Sequence, residues 1–363
     1  MKMKRLIALM ATVALSATML VGCGSDKSGS EGGDSSKSEI SIGLSTDEGG
    51  INDKSFNQSA NDGVLRAKDE FGVEYTYLEA QKKEDYEPNL QSLIDNGADL
   101  TFAIGYQLSD AVKAAAKNNP EAKFALVDSV VESDNVLSIV FKEEEGSFLV
   151  GVIAGLTTKT NKVGFIGGKD SEAIQKFEAG FAAGVAAVNP EAAKGLISSD
   201  GTSTGATVKY ADSFADTNKG YELAKSLYNE GCDVIYHAAG GVGVGLFQAT
   251  QELRNEGKDV WAIGVDMDQA VSLPNFADSI LTSMIKRVDN STYDAVKSVV
   301  DGNFEGKVLS LGIADGGVGI AETTSTNASE EAIAKSKEFE ERIKNGEFEV
   351  PATREGVMEF KIN

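Results

Sequence analysis

The stretch ISIGLSTDEGGINDKSFN, residues 40–57, joins an apolar run to a loop crowded with polar groups. Its first five residues have the length and apolar content of a buried strand. Asp47 and Asn52 lie in the loop that follows, and a helical pattern starts near Ser55 with Phe56 in its first turn. The stretch therefore predicts a strand, a loop and a helix, with hydrogen-bonding side chains at the carboxyl end of the strand.

Short apolar runs alternate with helical patterns along the rest of the chain. The first series continues through VEYTYL, LTFAI and KFALV, and a second runs through KVGFIGG, VKYADSF, DVIYHAAGG and VWAIGVD. Such alternation is typical of parallel sheets covered by helices. The pattern predicts two α/β units. A weak repeat agrees with this, because Phe56 precedes Gly63 by the same spacing as Phe177 precedes Gly184.

The amino terminus has the pattern of an export signal. Three basic residues precede an apolar stretch that ends in LVGC, residues 20–23, which resembles the bacterial lipoprotein box. In lipoproteins with this motif the cysteine carries the lipid. The residues after it, GSDKSGSEGGDSSKS, are too polar to form a core and predict a flexible tether. We expect residues 1–22 to be a signal peptide, Cys23 to be lipidated, and residues 23–38 to tether the protein to the extracytoplasmic face of the cell membrane.

The composition excludes several classes of partner. The formal net charge is −22, and removal of the basic leader makes the chain more acidic still. Nucleic acid is therefore not expected as a partner, because phosphate backbones require clustered Lys and Arg. The same charge argues against a broad electrostatic contact with anionic lipid. The chain has two cysteines, Cys23 and Cys232, so its stability must come from a conventional core of one or two domains.

Polar side chains follow four of the predicted strands. In open parallel sheets, ligands bind beyond the carboxyl ends of the strands, so these side chains should line a cleft between the two units. Carboxylates accept paired hydroxyls and aromatic rings cover flat apolar faces, which together suit a neutral polyol joined to a flat ring. The pattern alone leaves open whether Phe56 is a core residue and His237 a buried structural histidine. The polar side chains expected at the cleft are Asp47, Asn52, Asp53, Asp128, His237, Asp266 and Asp268.

No catalytic motif fits the pattern. GTSTG, residues 201–205, matches G-x-S-x-G, but Ser203 lacks the preceding strand and following helix of a nucleophile elbow. The glycines that begin at Gly240 lack dinucleotide-binding spacing, although they permit a ligand to approach the backbone closely. The single histidine and the absence of a cysteine cluster argue against a metal centre. We therefore expect a binding protein without enzyme activity, metal or cofactor.

Taken together, these segments resemble the basic membrane protein family of substrate-binding lipoproteins, which includes purine nucleoside receptors of bacterial ABC transporters. The resemblance covers nearly all of residues 39–363, and implies a type I periplasmic-binding-protein fold with two Rossmann-like lobes joined by three crossing strands. On this pattern the first lobe comprises residues 39–145 plus about 287–305, and the second comprises 146–286 plus about 306–363. The segments that carry it are GGINDKSFNQSA, ALVDS, FKEEEGSFLVG, KVGFIGG, KFEAGF, HAAGGVGVG, IGVDMDQ and TSMIKRVD.

The resemblance also implies how a ligand is held. In the nucleoside binders of the family, aromatic rings sandwich the base, and carboxylates and a lysine hold the ribose. For the second stacking ring we choose His237, because strand alternation should turn Tyr236 away from the cleft. The expected ligand-binding residues are Asp47, Asn52, Phe56, Asp128, His237, Gly240, Asp266 and Lys286.

The ligand implied by the resemblance is a purine nucleoside such as inosine, guanosine or adenosine. The implied partner is an ABC transporter permease, and the receptor itself is expected to be a monomer. A sugar or another small metabolite remains the alternative ligand. A membrane-anchored hydrolase is the alternative from a different functional class.

Overall fold

The computed structural model describes residues 40–362, which form two six-stranded sheets flanked by helices. The strands are β1 (Ser41–Ser45), β2 (Glu74–Leu78), β3 (Leu100–Ile104), β4 (Phe124–Val127), β5 (Val136–Phe141), β6 (Val163–Gly167), β7 (Val208–Tyr210), β8 (Val234–Ala238), β9 (Trp261–Asp266), β10 (Ile280–Lys286), β11 (Val308–Leu311) and β12 (Val318–Ile320). The helices are α1 (Phe56–Phe71), α2 (Tyr86–Asp95), α3 (Ser109–Asn118), α4 (Glu143–Thr157), α5 (Glu172–Val188), α6 (Pro190–Ala193), α7 (Thr217–Asn229), α8 (Val242–Asn255), α9 (Gln269–Ser272), α10 (Val288–Val300), α11 (Thr324–Asn327), α12 (Glu330–Lys344) and α13 (Arg354–Glu359).

The two sheets have matching strand orders. The first runs β11-β5-β4-β3-β1-β2 and the second runs β12-β10-β9-β8-β6-β7. The pair β10–β12 is antiparallel and the other paired strands are parallel. Central strands such as β3 and β4 are buried along their whole length, as expected for parallel strands with helices on both faces. This confirms the predicted α/β architecture with two Rossmann-like lobes.

The chain passes between the lobes three times. It leaves the first sheet after β5 to form α4, returns after β10 to form α10, and crosses again between β11 and β12. Helix α10 lies against α1 of the first lobe, where the Thr292 hydroxyl donates to the carbonyl oxygen of Ala60 at 2.9 Å.

The last crossing differs from the expected lobe boundary. β11 pairs in parallel with β5 in the first sheet, so the chain enters the second lobe after Leu311. The sequence pattern had placed everything from about residue 306 in the second lobe. The reason for the difference is that β11 is an edge strand, whose single partner lies far away in the chain and leaves no mark on the local pattern.

The repeated Phe–Gly spacing has a structural cause. A Cβ atom on Gly63 of α1 would lie 2.0 Å from the carbonyl oxygen of Asp289 on α10, and one on Gly184 of α5 would lie 2.1 Å from that of Phe148 on α4. Each lobe therefore packs two helices at a distance that only glycine allows. The two glycines are equivalent in the two lobes.

The described helices include none that is long and apolar enough to cross a membrane. The predicted signal peptide, the lipidated Cys23 and the tether of residues 23–38 lie outside the described residues.

Candidate functional site

A pocket lies between the carboxyl ends of the two sheets, and both lobes contribute to it. Loops after β1, β3 and β4 and the start of α1 form the first-lobe wall. The second-lobe wall comes from the start of α5, the loops after β7 and β8, and the ends of β9 and β10. The lining residues are Asp47, Asp53, Phe56, Asn57, Gly105, Tyr106, Asp128, Ala173, Ile174, Phe177, Phe214, Ala238, Ala239, Gly240, Val265, Asp266 and Lys286.

The structure brings most of the predicted residues together in this lining and leaves three outside it. Asn52, His237 and Asp268 are the three that do not line the pocket. The predicted residues that do line it are Asp47, Asp53, Phe56, Asp128, Gly240, Asp266 and Lys286.

Asn52 is exposed because the loop after β1 turns other side chains inward. The amide nitrogen of Asn57 donates to Asp47 Oδ1 at 2.8 Å and to Asp53 Oδ2 at 3.2 Å. Asp53 also accepts from the backbone N–H groups of Ser55 and Asn57, both at 2.9 Å. These bonds hold the two aspartates at the pocket wall. Asn57, which the sequence reasoning missed, takes the place expected for Asn52.

His237 is fully buried in β8 and does not reach the pocket. Its Nε2 atom lies 2.9 Å from Gln269 Oε1, and its ring centroid lies 5.3 Å from that of Phe247. Burial lowers the pKa of His237 to about 4, so the ring is neutral near neutral pH. His237 and Tyr236 do face opposite sides of the strand, but helices cover both sides. The pocket lies beyond the end of β8, so its lining residues there are Ala238 to Gly240.

Lys286 is the buried cation of the site, with 1 % of its surface exposed. Its ammonium group donates to Asp128 Oδ2, and its nitrogen forms an ion pair with Glu143 Oε1 at 3.1 Å. Burial alone lowers the pKa of Lys286, but attraction to Asp128, Glu143 and Asp266 outweighs this and raises the pKa above its usual value. An ammonium group has three N–H donors, so Lys286 keeps donor capacity for a ligand beyond its bond to Asp128.

Two buried oxygen atoms of the lining have no hydrogen-bond partner among residues 40–362. They are Asn57 Oδ1 and Asp128 Oδ1. Burial raises the pKa of Asp128 to about 6, although Lys286 opposes the shift. A buried acceptor left without a donor costs about 1–3 kcal/mol, so a ligand that supplies hydroxyl or N–H donors here gains that energy.

Contacts across the pocket join the two lobes. The Ser55 hydroxyl of the first lobe donates to Asp266 Oδ2 of the second. The amide nitrogen of Gln269 donates to the carbonyl oxygen of Lys54 at 2.9 Å. Burial raises the pKa of Asp266. Since one oxygen of Asp266 is bonded to Ser55, the other remains to accept from a ligand. The two contacts between the lobes show that the lobes are closed around the pocket.

Aromatic rings form the apolar part of the lining. The Lys286 nitrogen lies 4.9 Å from the ring centroid of Phe56 and 5.4 Å from that of Phe177. Tyr106 of the first lobe and Phe214 of the second meet edge to face, with centroids 6.4 Å apart. Phe56 and Phe177 hold the equivalent places in the Phe–Gly spacing of the two lobes. That spacing is the sequence signal from which Phe177 could have been found.

Two similar α/β lobes, three crossings and a pocket closed between strand ends are the architecture of a two-lobed ligand-binding protein. The family profile described as "ABC transporter substrate-binding protein PnrA-like", named Bmp, matches residues 40–354. A crystal structure of ABC transporter solute-binding proteins from Aeropyrum pernix superposes with a TM-score of 0.77 at 28% identity, covering 88% of this chain and 96% of that one.

Relatives are similar over nearly their whole length. The protein named ABC transporter nucleoside-binding protein BmpA from Lactococcus lactis subsp. cremoris is 39% identical, over 92% of this chain and 96% of its own. A Listeria innocua protein named CD4+ T-cell-stimulating antigen is 40% identical, over 96% of this chain and 99% of its own. The chain belongs to the Bmp family of ABC transporter substrate-binding proteins, and the fold is the type I arrangement that the sequence predicted.

Proposed function

We propose that this protein is an extracytoplasmic lipoprotein that binds purine nucleosides and delivers them to an ABC permease for uptake, without chemical turnover. The observation that carries the proposal is the combination of aromatic rings, unpartnered acceptors and a buried lysine in one closed pocket. The rings suit a flat base, and the acceptors suit hydroxyl and N–H donors. The name of the Lactococcus lactis relative, a nucleoside-binding protein, supports the same ligand class.

The binding roles divide between the two ends of the pocket. Phe56 stacks on one face of the base, and the second ring comes from Phe177 or Phe214 in place of His237. Asp266 accepts from a ribose hydroxyl with the oxygen that Ser55 leaves free, and Lys286 donates an N–H to the sugar. Donors of the ligand satisfy the open oxygens described above, and Asp47 completes the first-lobe wall beside them. Gly240 lets the ligand approach the backbone.

Calorimetry with inosine, guanosine and adenosine tests the ligand class, with Phe56→Ala as the site variant. Loss of a base-stacking ring typically costs about 1–3 kcal/mol, so the variant should bind roughly five- to 150-fold more weakly. His237→Ala is the control for a buried aromatic side chain outside the pocket. It should lower the unfolding temperature but leave the affinity of the folded protein nearly unchanged.

The outcomes separate the alternatives. If the parent and Phe56→Ala bind nucleosides with equal affinity, Phe56 is a core residue. Preference for a plain sugar over every nucleoside would favour the alternative ligand. Mass spectrometry of the nucleoside after incubation should return it intact, and release of free base and ribose would place the protein among the hydrolases.

The lipid anchor at Cys23 is part of the same proposal. LVGC and the polar segment after it support it, and an anchor would keep the receptor close to its permease. Cys23→Ala should release the protein from the membrane fraction, because the acceptor of the lipid is lost. A variant that remains membrane-bound and is processed to the same mass would show that something else holds it.

A further inference from the structure

A second polar bridge between the lobes lies at the outer edge of the cleft. Lys169 follows β6 in the second lobe, and its ammonium nitrogen lies 2.9 Å from Glu48 Oε2 and 3.1 Å from Gln107 Oε1, both in the first lobe. The side chains of Lys169 and Glu48 are each 30% exposed. One lysine thus joins two loops of the opposite lobe.

This bridge lies far from the hinge, by which we mean the three crossings that join the lobes. Glu48 follows β1, which is separated from the crossing strand β5 by β3 and β4, and Lys169 follows β6, which is separated from β10 by β8 and β9. With strands about 4.8 Å apart, each partner lies about 14 Å from the strand that leads into a crossing. Rotation about the hinge separates the two partners more than it separates residues beside Lys286.

The bridge also adjoins the residues that cover the ligand pocket. Glu48 follows Asp47 in the chain, and Gln107 follows Tyr106; both preceding residues line the pocket. The Lys169 nitrogen lies 6.0 Å from the ring centroid of Phe214, which packs edge to face on Tyr106. Moving the lobes apart at Tyr106 and Phe214 therefore also separates Lys169 from Glu48 and Gln107.

We propose that Lys169 is a latch residue, which sets the rate of ligand release by holding the closed lobes together and makes no contact with the ligand itself. The latch requires a ligand-binding cleft but does not depend on the ligand being a nucleoside. Because the ion pair is part-exposed, it contributes up to about 1 kcal/mol, which corresponds to a change of about fivefold in a rate. It is also screened by salt, unlike a buried pair.

The test compares the release of labelled inosine from Lys169→Met and from the parent after a chase with unlabelled inosine. Lys169→Met should release inosine about three- to fivefold faster. Glu48→Gln should act in the same direction, and the double variant should add little to either single change, because the two residues share one interaction. Lys209→Met is the matched control: Lys209 is 31% exposed and pairs with Glu230 at 3.5 Å within the second lobe.

Ionic strength gives an independent readout. Raising salt from about 0.02 M to about 0.5 M should speed release from the parent and from Lys209→Met, but leave release from Lys169→Met nearly unchanged. Release from Lys169→Met at the parental rate, with the parental salt dependence, would overturn the latch.

Failure of the ligand class is distinguishable from failure of the latch. If the parent binds none of inosine, guanosine and adenosine, the nucleoside proposal fails. The latch is then tested by small-angle X-ray scattering of the ligand-free proteins. Lys169→Met should have a larger radius of gyration than the parent and Lys209→Met, and equal radii would contradict the latch.

Discussion

Replacing Lys286 by Met should cost about 3–5 kcal/mol of unfolding free energy, because breaking a buried ion pair leaves uncompensated charge in the interior. Lys286 is the positive partner of both Asp128 and Glu143, and Glu143 is 2 % exposed. Methionine fills most of the same volume, so the loss reports on charge rather than on a cavity. Urea unfolding of parent and variant measures it.

The deficit should depend on pH in a defined direction. Burial raises the pKa of Asp128 from 3.8 to about 6 in the folded protein, so folding favours the protonated carboxyl. The contribution of Asp128 to the free energy of unfolding is therefore complete below about pH 4 and is lost as the pH rises through about 6. Without Lys286 the pKa of Asp128 rises further, and the penalty for ionising it grows. The unfolding free energy of Lys286→Met should therefore fall further below that of the parent at about pH 8 than at about pH 5.

Lys176→Met is the matched control for this variant. Lys176 also pairs with Glu143, at 3.1 Å, but its side chain is 33% exposed. Its loss should cost much less, because water can take over part of its role. Equal losses from the two variants, or a Lys286→Met deficit that does not change with pH, would contradict the view that a buried, charged Lys286 supports the pocket.

The site and the hinge are mechanically linked through the start of α4. Glu143 binds Lys286 at the end of β10, where the chain crosses to α10. Two residues on, Glu145 Oε2 accepts from the backbone N–H of Ile313 at 2.7 Å, in the segment that crosses from β11 to β12. Since α4 itself begins at the remaining crossing, one helical turn contacts all three. A ligand that bonds to Lys286 therefore acts next to the hinge, whereas Lys169 acts at the far edge.

The sequence was informative about elements that repeat a local pattern. Parallel strands buried on both faces appear as apolar runs, and the polar loops after them mark the strand ends where Asp128 and Asp266 were found. The lobe that contains β11 could not be read in this way, because its pairing with β5 is a contact between distant parts of the chain.

Asn52 and His237, two of the three residues that were expected at the cleft but lie outside the pocket, show the limit of predicting a pocket from sequence position. A loop can turn any of its polar side chains inward, and the hydrogen bonds of Asn57 that decide this are three-dimensional. Alternation places His237 on one face of β8 but does not say whether that face meets a ligand or a helix. Glu143 was missed for a related reason: acids in the first turn of a helix are usually solvated, and only the fold buries this one against Lys286.

The largest loss of affinity should come from Asp266→Ala, and it should be confined to ligands that carry the sugar. A charge-assisted hydrogen bond is worth about 1.5–3 kcal/mol, so losing the contact to a ribose hydroxyl should weaken nucleoside binding about ten- to 150-fold. The free base, for which we expect poor affinity, should lose only the modest factor that comes from loss of the Ser55–Asp266 bond. Lys286 stays paired with Asp128 and Glu143 in this variant, so no buried cation is left unbalanced.

Two neighbouring variants separate the sugar contact from lobe closure. Ser55→Ala removes the hydroxyl that donates to Asp266 across the lobes. Nucleoside and base should then lose the same modest factor, because closure serves both. Asp268 lies two residues after Asp266, in the loop that follows β9. Its carboxylate accepts hydrogen bonds from Thr323 outside the pocket lining. Asp268→Ala should therefore retain parental affinity.

Calorimetry with inosine, guanosine, adenosine and their free bases, on the parent and these three variants, decides between a sugar contact and a closure contact. A loss that is larger for nucleosides than for free bases, in Asp266→Ala alone, assigns the open oxygen of Asp266 to the ribose. Parent protein that binds base and nucleoside equally well would refute the ribose contact. Equal losses for base and nucleoside in Asp266→Ala would instead mean that Asp266 acts only through Ser55, as a closure residue.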